Sequence, residues 1–487
     1  MRLSLILLPN RPISASIGSR LLHTTLKMSS SNSSAAKRKQ RDSISPPPVK
    51  RKVQSGTTKS AVANFFKPAS QKPKDRTIWT ERAPNEDAPA TLLVGRYEPE
   101  KPPAESKKRT KVAAFDLDST LITTASGKKH SDDGTDWKWW HASVPGRLKE
   151  LYNDEGYRVV VLSNQAGLVL HPDPKAKGPK STKDRVSSFK QKVNAVLTQL
   201  DIPTTIYAAT EKDIYRKPRP GMWKELCEDY DISDEVDLEH SVFVGDAGGR
   251  IATVKSAGKN GSATAKDFSC SDRNLAHNIG IDYKTPEEFF LGEEPRDFVR
   301  GFDVIHYSYP EESKTSSSDV LFEKKNKQDI VICCGPPGAG KSTFFWNHLK
   351  PLGYERINQD ILKTRDKCVQ AAKEFLSAGQ SVAIDNTNAD PDTRAVWVQL
   401  AEKQKVPIRC VWLKTPLNVC EHNDAVRSMN ASLNPESRVA LPKMAFNGFK
   451  SRFKEPKEKE GFQDITEIEF AFRGTKDEHD VWARYWL

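Results

Sequence analysis

The sequence predicts an α/β protein with two doubly wound parallel-sheet domains behind a disordered, basic N-terminal tail. Short apolar or β-branched runs alternate with longer helical stretches in two separate series, as parallel sheets require. A polar segment containing YPEESKTSSSD separates the two series. The chain has 487 residues, which is enough for two or three domains.

The first series of runs predicts a domain at residues 109–292, and a helix over Lys183–Leu200 separates two of its strands. The second series predicts a domain at residues 327–487, after a linker at residues 293–326. The strands predicted for the first domain are Val112–Leu117, Tyr157–Ser163, Thr205–Ala209 and Ser241–Gly245. Those predicted for the second domain are Asp329–Cys334, Ser381–Ile384 and Ile408–Leu413.

The positive charge is concentrated at the N-terminus. The whole chain has 76 Lys and Arg against 64 Asp and Glu, a net charge of +12. Residues 1–110 hold 22 basic and 8 acidic residues, whereas the remainder holds 54 basic and 56 acidic residues. Any nucleic-acid groove in the folded part must therefore be a local patch.

The tail contains two segments that resemble targeting signals. Residues 1–27 have no acidic residue and resemble a mitochondrial transit peptide. Residues 28–108 begin at Met28 and carry basic clusters at Lys37–Arg41 and Lys50–Lys52. Such clusters are typical of a nuclear address or a nucleic-acid arm, and otherwise of a solvated tail. We expect a nuclear protein, with a mitochondrial form when translation starts at Met1.

A short apolar segment, KSAVANFFKP, lies within the tail. Val62 stands three positions before the pair Phe65 and Phe66, so one helical turn would present all three on one face. The segment resembles the peptide that docks onto the sliding clamp of replication, although Lys59 stands where that motif prefers Gln. The alternative is a stray apolar segment without a partner.

The seven cysteines show no paired metal-binding spacing, and their number is odd. They are typical of free or buried thiols in a reducing compartment. No apolar run approaches the roughly 18 residues that a membrane span needs. We expect a monomer without membrane association.

Paired carboxylates follow the first predicted strand in the string FDLDST. Asp116 and Asp118 are two residues apart, Ser163 ends the second strand, and Asp246 ends the strand in VFVGD. Because ligands of a parallel sheet gather at the carboxyl ends of its strands, these side chains should converge. The first carboxylate can then attack a phosphorus atom while the second protonates the leaving oxygen. An isolated DxD pair could instead be an acidic surface turn.

With Lys217 in YRKPRPGMW, the set resembles the haloacid-dehalogenase-like phosphohydrolases. The resemblance implies that Asp116 forms an aspartyl-phosphate, that Asp118 is the acid and then the base, and that Ser163 and Lys217 bind phosphoryl oxygens. It also implies a Mg²⁺ ion on Asp116, Asp246 and the backbone carbonyl of Asp118. No second acid follows Asp246 closely, and Asp272 in SCSDR is the residue we name as a candidate.

A glycine-rich loop follows the first strand of the second domain and matches the G-x-x-x-x-G-K-[ST] pattern. Its backbone amides would surround the phosphates of ATP, Lys341 would bridge the β- and γ-phosphates, and Ser342 would ligate Mg²⁺. The predicted ATP-binding residues are Gly335, Pro336, Pro337, Gly338, Ala339, Gly340, Lys341, Ser342 and Thr343.

A motor or a GTPase would use the same loop, but the next acids favour a kinase. Asp360, 19 residues after Lys341, follows a predicted strand and could take the proton of an acceptor hydroxyl. It could also be the N-cap of a helix beginning at Ile361. Asp385 could support Mg²⁺ through water or orient the acceptor.

A segment that looks like a mobile flap carries two arginines, Arg427 and Arg438. We predict Arg427 as the contact with the γ-phosphate, without settling the choice between the two. The alternative is a solvated helix face.

Long strings in the fixed order FDLDSTLITTASGK, VLSNQAG, VFVGDAGGR, GPPGAGKSTF and AIDNTN resemble the eukaryotic polynucleotide kinase 3′-phosphatases. The resemblance covers about residues 110–487. It implies removal of a 3′-phosphate from DNA and ATP-dependent phosphorylation of a 5′-hydroxyl in strand-break repair, so that a ligase can seal the break. An RNA end-healing enzyme is the alternative. Aromatic and basic residues near the first site either stack a terminal base or belong to the core. These residues are Trp137, Trp139, Trp140 and Arg147.

Overall fold

The computed structural model describes residues 76–100, 108–171, 182–253, 264–309 and 321–487. The predicted transit peptide, the basic clusters and the clamp-like peptide with Val62, Phe65 and Phe66 lie outside these residues. Within them, no helix is long and apolar enough to cross a membrane.

The first domain is built on a seven-stranded sheet. The strands are β1 Thr77–Arg82, β2 Leu92–Tyr97, β3 Val112–Phe115, β6 Arg158–Asn164, β7 Thr204–Ala209, β8 Val242–Val244 and β9 Asp282–Lys284. Their order across the sheet is β1-β2-β7-β6-β3-β8-β9. The five strands β7, β6, β3, β8 and β9 are parallel, and β1 and β2 are added antiparallel at the β7 edge. A separate hairpin joins β4 Ile122–Thr123 to β5 Lys138–Trp139. The helices are α1 Val144–Asn153, α2 Thr182–Leu200, α3 Gly221–Asp229, α4 Ser271–Ile279 and α5 Pro286–Leu291.

The expectation of a disordered tail through residue 108 is wrong for residues 76–100, which form β1 and β2. Leu92 and Leu93 are fully buried in the sheet. Arg82 binds the carboxylates of Glu225 and Asp229 on α3, each at 2.5 Å. These buried contacts fix the hairpin to the domain, although its flanking residues are rich in charge and proline.

The predicted linker, residues 293–326, is also too long. Val304 is buried in a 3₁₀ turn, Val304–Tyr307, and Phe322 belongs to the core of the second domain. Apolar side chains at both ends of the segment therefore pack onto folded structure.

The second domain contains a five-stranded parallel sheet with the order β11-β12-β10-β13-β14. The strands are β10 Ile330–Cys334, β11 Tyr354–Ile357, β12 Ser381–Ile384, β13 Ile408–Leu413 and β14 Ile465–Ile468. The helices are α6 Lys341–Phe344, α7 Gln359–Leu362, α8 Arg365–Ser377, α9 Pro391–Gln404, α10 Leu417–Met429, α11 Lys443–Arg452 and α12 Lys476–Trp482. Apolar cores cover both faces of this sheet and both faces of the first sheet, so the predicted doubly wound α/β class is confirmed for both domains.

Candidate active sites

The first site forms at the carboxyl ends of β3, β6 and β8. Asp116 follows β3 directly, is only 8% exposed, and its N–H donates to the carbonyl of Val244 at 2.9 Å. The ammonium group of Lys217 lies 2.6 Å from a carboxylate oxygen of Asp116 and 2.8 Å from one of Asp272. Asn164 fixes the backbone of Lys217, since its amide bonds both the N–H and the carbonyl of that residue at 2.9 and 3.1 Å. The convergence predicted for this edge is therefore present.

Gln165 connects the second carboxylate to the predicted serine. Its Nε2 donates to Asp118 at 2.8 Å and to the hydroxyl of Ser163 at 2.9 Å. Ser163 is buried, whereas Asp118 is exposed to solvent. The exposure of Asp118 suits a general acid that must contact the incoming substrate. Gln165 was not predicted as a site residue, because a single glutamine carries no signal of its own.

The carboxylates of Asp116, Asp246 and Asp272 form a cluster in which one oxygen of each lies within 4.8 Å of the others. Asp272 comes from α4, and its Oδ2 accepts the N–H of Ala247 at 3.1 Å. The residue named only as a candidate therefore lies in the site. A Cβ added to Gly245 would stand 2.2 Å from Asp272 Oδ2, so this approach requires glycine.

The cluster is electrostatically suited to a cation. Burial raises the pKa of Asp116 to about 7 despite the attraction of Lys217, and repulsion from Asp272 adds to the rise. Burial, with repulsion from Asp116 and Asp272, raises the pKa of Asp246 to about 8. Carboxylate oxygens are the ligands that Mg²⁺ prefers. The donor set fits the predicted ion, and the contribution of the Asp118 carbonyl stays a prediction.

The second site surrounds the glycine-rich loop between β10 and α6. Gly338 has φ +77°, and a Cβ there would lie 2.3 Å from the carbonyl of Cys420. Lys341 is buried, and its ammonium group donates to the carbonyls of Gly335 and Pro336 at 3.0 and 2.6 Å. Burial lowers the pKa of Lys341. Residues 337–343 line a cleft of about 1170 Å³, which is large enough for a nucleotide.

The hydroxyl of Ser342 is the centre of a polar network. It donates to Asp385 Oδ2 at 2.8 Å and accepts from Arg356 at 2.9 Å and from Arg438 at 3.2 Å. Arg356 also donates to Asp385, and both arginines bind Glu436. Burial opposes ionisation of Glu436, yet hydrogen bonds from Arg356 and other donors lower its pKa to about 2. The oxygens of Ser342 and Asp385 fit a Mg²⁺ ion, and Arg356 is a site residue that sequence reasoning missed.

Asp360 is not the N-cap of its helix. That helix, α7, begins at Gln359, and its cap is Asn358, whose Oδ1 accepts from the N–H groups of Asp360 and Ile361 at 2.8 and 3.3 Å. The side chain of Asp360 is 81% exposed at the cleft, 3.8 Å from a nitrogen of Arg438. It is therefore available to an acceptor hydroxyl.

The two candidate arginines differ in their partners. Arg427 lines the cleft, but its guanidinium group is bonded to Asp424 on its own helix. Arg438 reaches Ser342 directly. The contact of Arg427 with the γ-phosphate stays a prediction, and the structure adds Arg438 to the phosphate end of the cleft.

The aromatic cluster of the first domain belongs to its core. The half-buried Trp137, Trp139 and Trp140 pack against core side chains, and Arg147 is paired with two glutamates. Phe268 is the more accessible aromatic, with 99% of its surface exposed, and the ammonium of Lys129 lies 5.8 Å from its ring centroid. It precedes Asp272 by four residues, so it lies in the segment that leads into the acidic site.

The fold and the two sites define a two-domain enzyme in which an α/β phosphohydrolase precedes a P-loop kinase. Residues 111–290 match the family described as polynucleotide kinase 3 phosphatase, and residues 330–456 match a family described as AAA domain.

The bifunctional polynucleotide phosphatase/kinase of Schizosaccharomyces pombe is 38% identical over 397 residues, covering 81% of this chain and 86% of that protein. The polynucleotide 3′-phosphatase of Saccharomyces cerevisiae is 25% identical over 222 residues, covering 37% of this chain and 87% of that protein. The chain therefore belongs to the bifunctional polynucleotide phosphatase/kinase family, and the predicted enzyme class is confirmed.

Proposed function

We propose that this protein prepares broken DNA strands for ligation by removing 3′-phosphates and phosphorylating 5′-hydroxyls. The observation that supports the proposal is the presence of two separate clusters of candidate catalytic residues in one chain of this family. Asp116, Lys217 and Asp272 form one site, and Lys341 with Asp360 belongs to the other. Their combined product has the 3′-hydroxyl and 5′-phosphate that a ligase joins.

At the first site, the carboxylate of Asp116 attacks the phosphorus of the 3′-phosphate. The bond to the 3′-oxygen breaks, and Asp118 donates its proton to that oxygen. Water, deprotonated by Asp118, then hydrolyses the aspartyl-phosphate and regenerates Asp116. Lys217, 2.6 Å from Asp116, favours the ionised nucleophile and can bind a phosphoryl oxygen together with Ser163.

At the second site, Asp360 takes the proton of the 5′-hydroxyl as its oxygen attacks the γ-phosphorus of ATP, and ADP leaves. The loop amides and Lys341 bind the phosphates, which requires the ammonium group to exchange its loop carbonyls for phosphate oxygens. Arg438 and Arg427 line the cleft, and one of them is proposed to neutralise charge on the transferring group.

Mg²⁺ would be held by Asp116, Asp246 and Asp272 at the first site and by Ser342 and Asp385 at the second. When bound, it supplies positive charge to phosphate oxygens at both sites.

The exposed ring of Phe268 supports a single-stranded or frayed 3′ end as the phosphatase substrate. An unpaired base can stack on this ring, and Lys129 beside it can meet the strand's phosphates. We expect Phe268→Ala to lower kcat/KM for an oligonucleotide about tenfold, within the range for loss of one stacked base. Phe268→Tyr keeps a stacking face and is the matched control.

The choice between DNA and RNA is tested with matched oligonucleotides. DNA and RNA strands of one sequence, bearing a 3′-phosphate or a 5′-hydroxyl, are compared by kcat/KM at fixed salt, because phosphate contacts make binding salt-dependent. The proposal predicts higher kcat/KM on DNA in both reactions. A preference for RNA in both would assign the chain to RNA end healing instead.

Two proposals rest on sequence alone. Nuclear localisation is proposed from Lys37–Arg41 and Lys50–Lys52, with a mitochondrial form starting at Met1. Clamp docking is proposed from residues 59–68, and a peptide of that sequence should bind the clamp while its Phe65→Ala, Phe66→Ala version should not. Imaging a C-terminally tagged chain with and without the two basic clusters tests the proposed nuclear localisation.

A further inference from the structure

The last residues of the chain contact both catalytic domains. Helix α12 ends at Trp482, which is buried in an apolar cluster with Val419 and Val426 of the kinase domain. Three residues later, the ring of Tyr485 lies 5.0 Å from that of His277 on helix α4 of the phosphatase domain. We call residues 482–485 the C-terminal clasp.

On the phosphatase side, one amide joins the clasp to the peptide that carries the catalytic lysine. Asn278 Oδ1 accepts the N–H of Tyr485 at 2.8 Å, and its Nδ2 donates to the carbonyl of Tyr485 at 2.7 Å. The same Nδ2 donates to the carbonyl of Pro218 at 2.8 Å. Pro218 follows Lys217, so Asn278 ties the clasp to the backbone beside the phosphoryl-binding ammonium group.

On the kinase side, a second amide joins the clasp to the nucleotide loop. The indole N–H of Trp482 donates to Asn423 Oδ1 at 2.7 Å, and Asn423 Nδ2 donates to the carbonyl of Gly338 at 2.9 Å. Gly338 also lies so close to Cys420 that a Cβ would overlap its carbonyl. The loop is therefore held against α10 at the point where Asn423 binds it.

Partly buried amides such as these usually find partners in any fold, so paired hydrogen bonds alone would indicate only stability. The arrangement is more specific, because each asparagine bonds a backbone carbonyl of one catalytic loop and the same C-terminal segment. We infer that Asn278 and Asn423 are positioning residues for Lys217 and for the nucleotide loop, and that the clasp couples the two sites. The inference rests on the proposed function of each site.

Two substitutions break the chain of contacts at different points. Asn423→Asp keeps the acceptor for Trp482 and removes the donor to Gly338. Asn278→Ala removes all three bonds to Tyr485 and Pro218. Tyr485→Phe is the matched control, since it removes only the hydroxyl bond to Asp303 and leaves both backbone contacts with Asn278.

In steady-state assays, Asn278→Ala should lower the phosphatase kcat about tenfold with little change in KM, because it loosens Lys217 and spares the surface that meets the strand. Its kinase activity should remain and serves as the indicator of folding. Asn423→Asp should raise KM for ATP about fivefold, as expected for one lost hydrogen bond.

The coupling itself is tested by hydrogen exchange of the full-length chain, read at residues 214–222. Samples in Mg²⁺ alone are compared with samples in Mg²⁺ plus a saturating non-hydrolysable ATP analogue, whose binding is verified by calorimetry. The analogue should slow exchange about fivefold in the wild type and in Tyr485→Phe, at the low end of known coupling factors. The slowing should vanish in Asn278→Ala and Asn423→Asp.

Unchanged exchange in the nucleotide-bound wild type would overturn the inference, as would slowing that persists in both asparagine variants. Neither result depends on turnover. A failure of the proposed DNA chemistry would instead appear in the activity assays with the exchange pattern intact.

Discussion

Replacing Gly245 by alanine should disable the phosphatase through Asp272. The added Cβ would stand 2.2 Å from Asp272 Oδ2, whereas real Cβ contacts essentially never fall below 3.0 Å. The carboxylate must therefore move by about 1 Å, and a displacement of that size can cost about 10²-fold in rate. The same carboxylate binds Lys217 and the N–H of Ala247, so its displacement disturbs both neighbours.

The assay measures release of phosphate from a 3′-phosphorylated oligonucleotide and 5′ phosphorylation on the same sample. We expect phosphatase kcat to fall about 10²-fold while kinase activity is retained. Gly146→Ala on helix α1 is the control, because a Cβ at that position meets nothing within 4 Å. If Gly245→Ala keeps more than half of the wild-type phosphatase rate, the reasoning that Asp272 must hold its place is refuted.

Three further predictions concern single side chains. Asp118→Asn should lower phosphatase turnover by about 10²–10⁴-fold, since it removes the acid, and unchanged turnover would refute that role. Asp360→Asn should lower kinase turnover by a similar factor while ATP binding, measured by calorimetry, stays unchanged; weaker ATP binding would indicate a different role. His422 should make stability pH-dependent, because burial lowers its pKa to about 4. The unfolded chain takes up the proton first, so the contribution of His422 to the unfolding free energy should fall by about 2 kcal/mol from pH 7 to pH 5. The raised pKa values of Asp116 and Asp246 act in the opposite direction, so the test is the difference between the wild type and His422→Gln in urea titrations at both pH values. An identical pH dependence in the two proteins would contradict the assignment.

The sequence was sufficient for the parts of both sites that follow buried strands. The runs before Asp116 and Gly335 are apolar on both faces. Their continuous apolar composition predicts a buried strand, and the polar or glycine residues that follow predict the site at its end. The strand β14 was missed because its composition, ITEI, mixes apolar with charged residues. A strand before Asp360, where β11 lies, was predicted without bounds. The hairpin of β1 and β2 was missed because its flanking residues are rich in charge and proline.

Other site residues depend on contacts that no local pattern reports. Asp272 reaches the acidic cluster from helix α4 because Gly245 leaves room for it. Arg356 is one arginine in a short mixed strand, and its value lies in contacts with Ser342 and Asp385 that only the folded sheet creates. Packing between elements, rather than motif spacing, determines these positions.

The most direct test of the central claim uses a nicked duplex with a 3′-phosphate and a 5′-hydroxyl, incubated with Mg²⁺ and ATP. The wild type should convert both ends into a substrate for ligase. Asp116→Ala should leave the 3′-phosphate in place and still phosphorylate the 5′ end, and Lys341→Ala should do the reverse. Loss of both reactions in either folded variant would contradict two separate sites acting on one break.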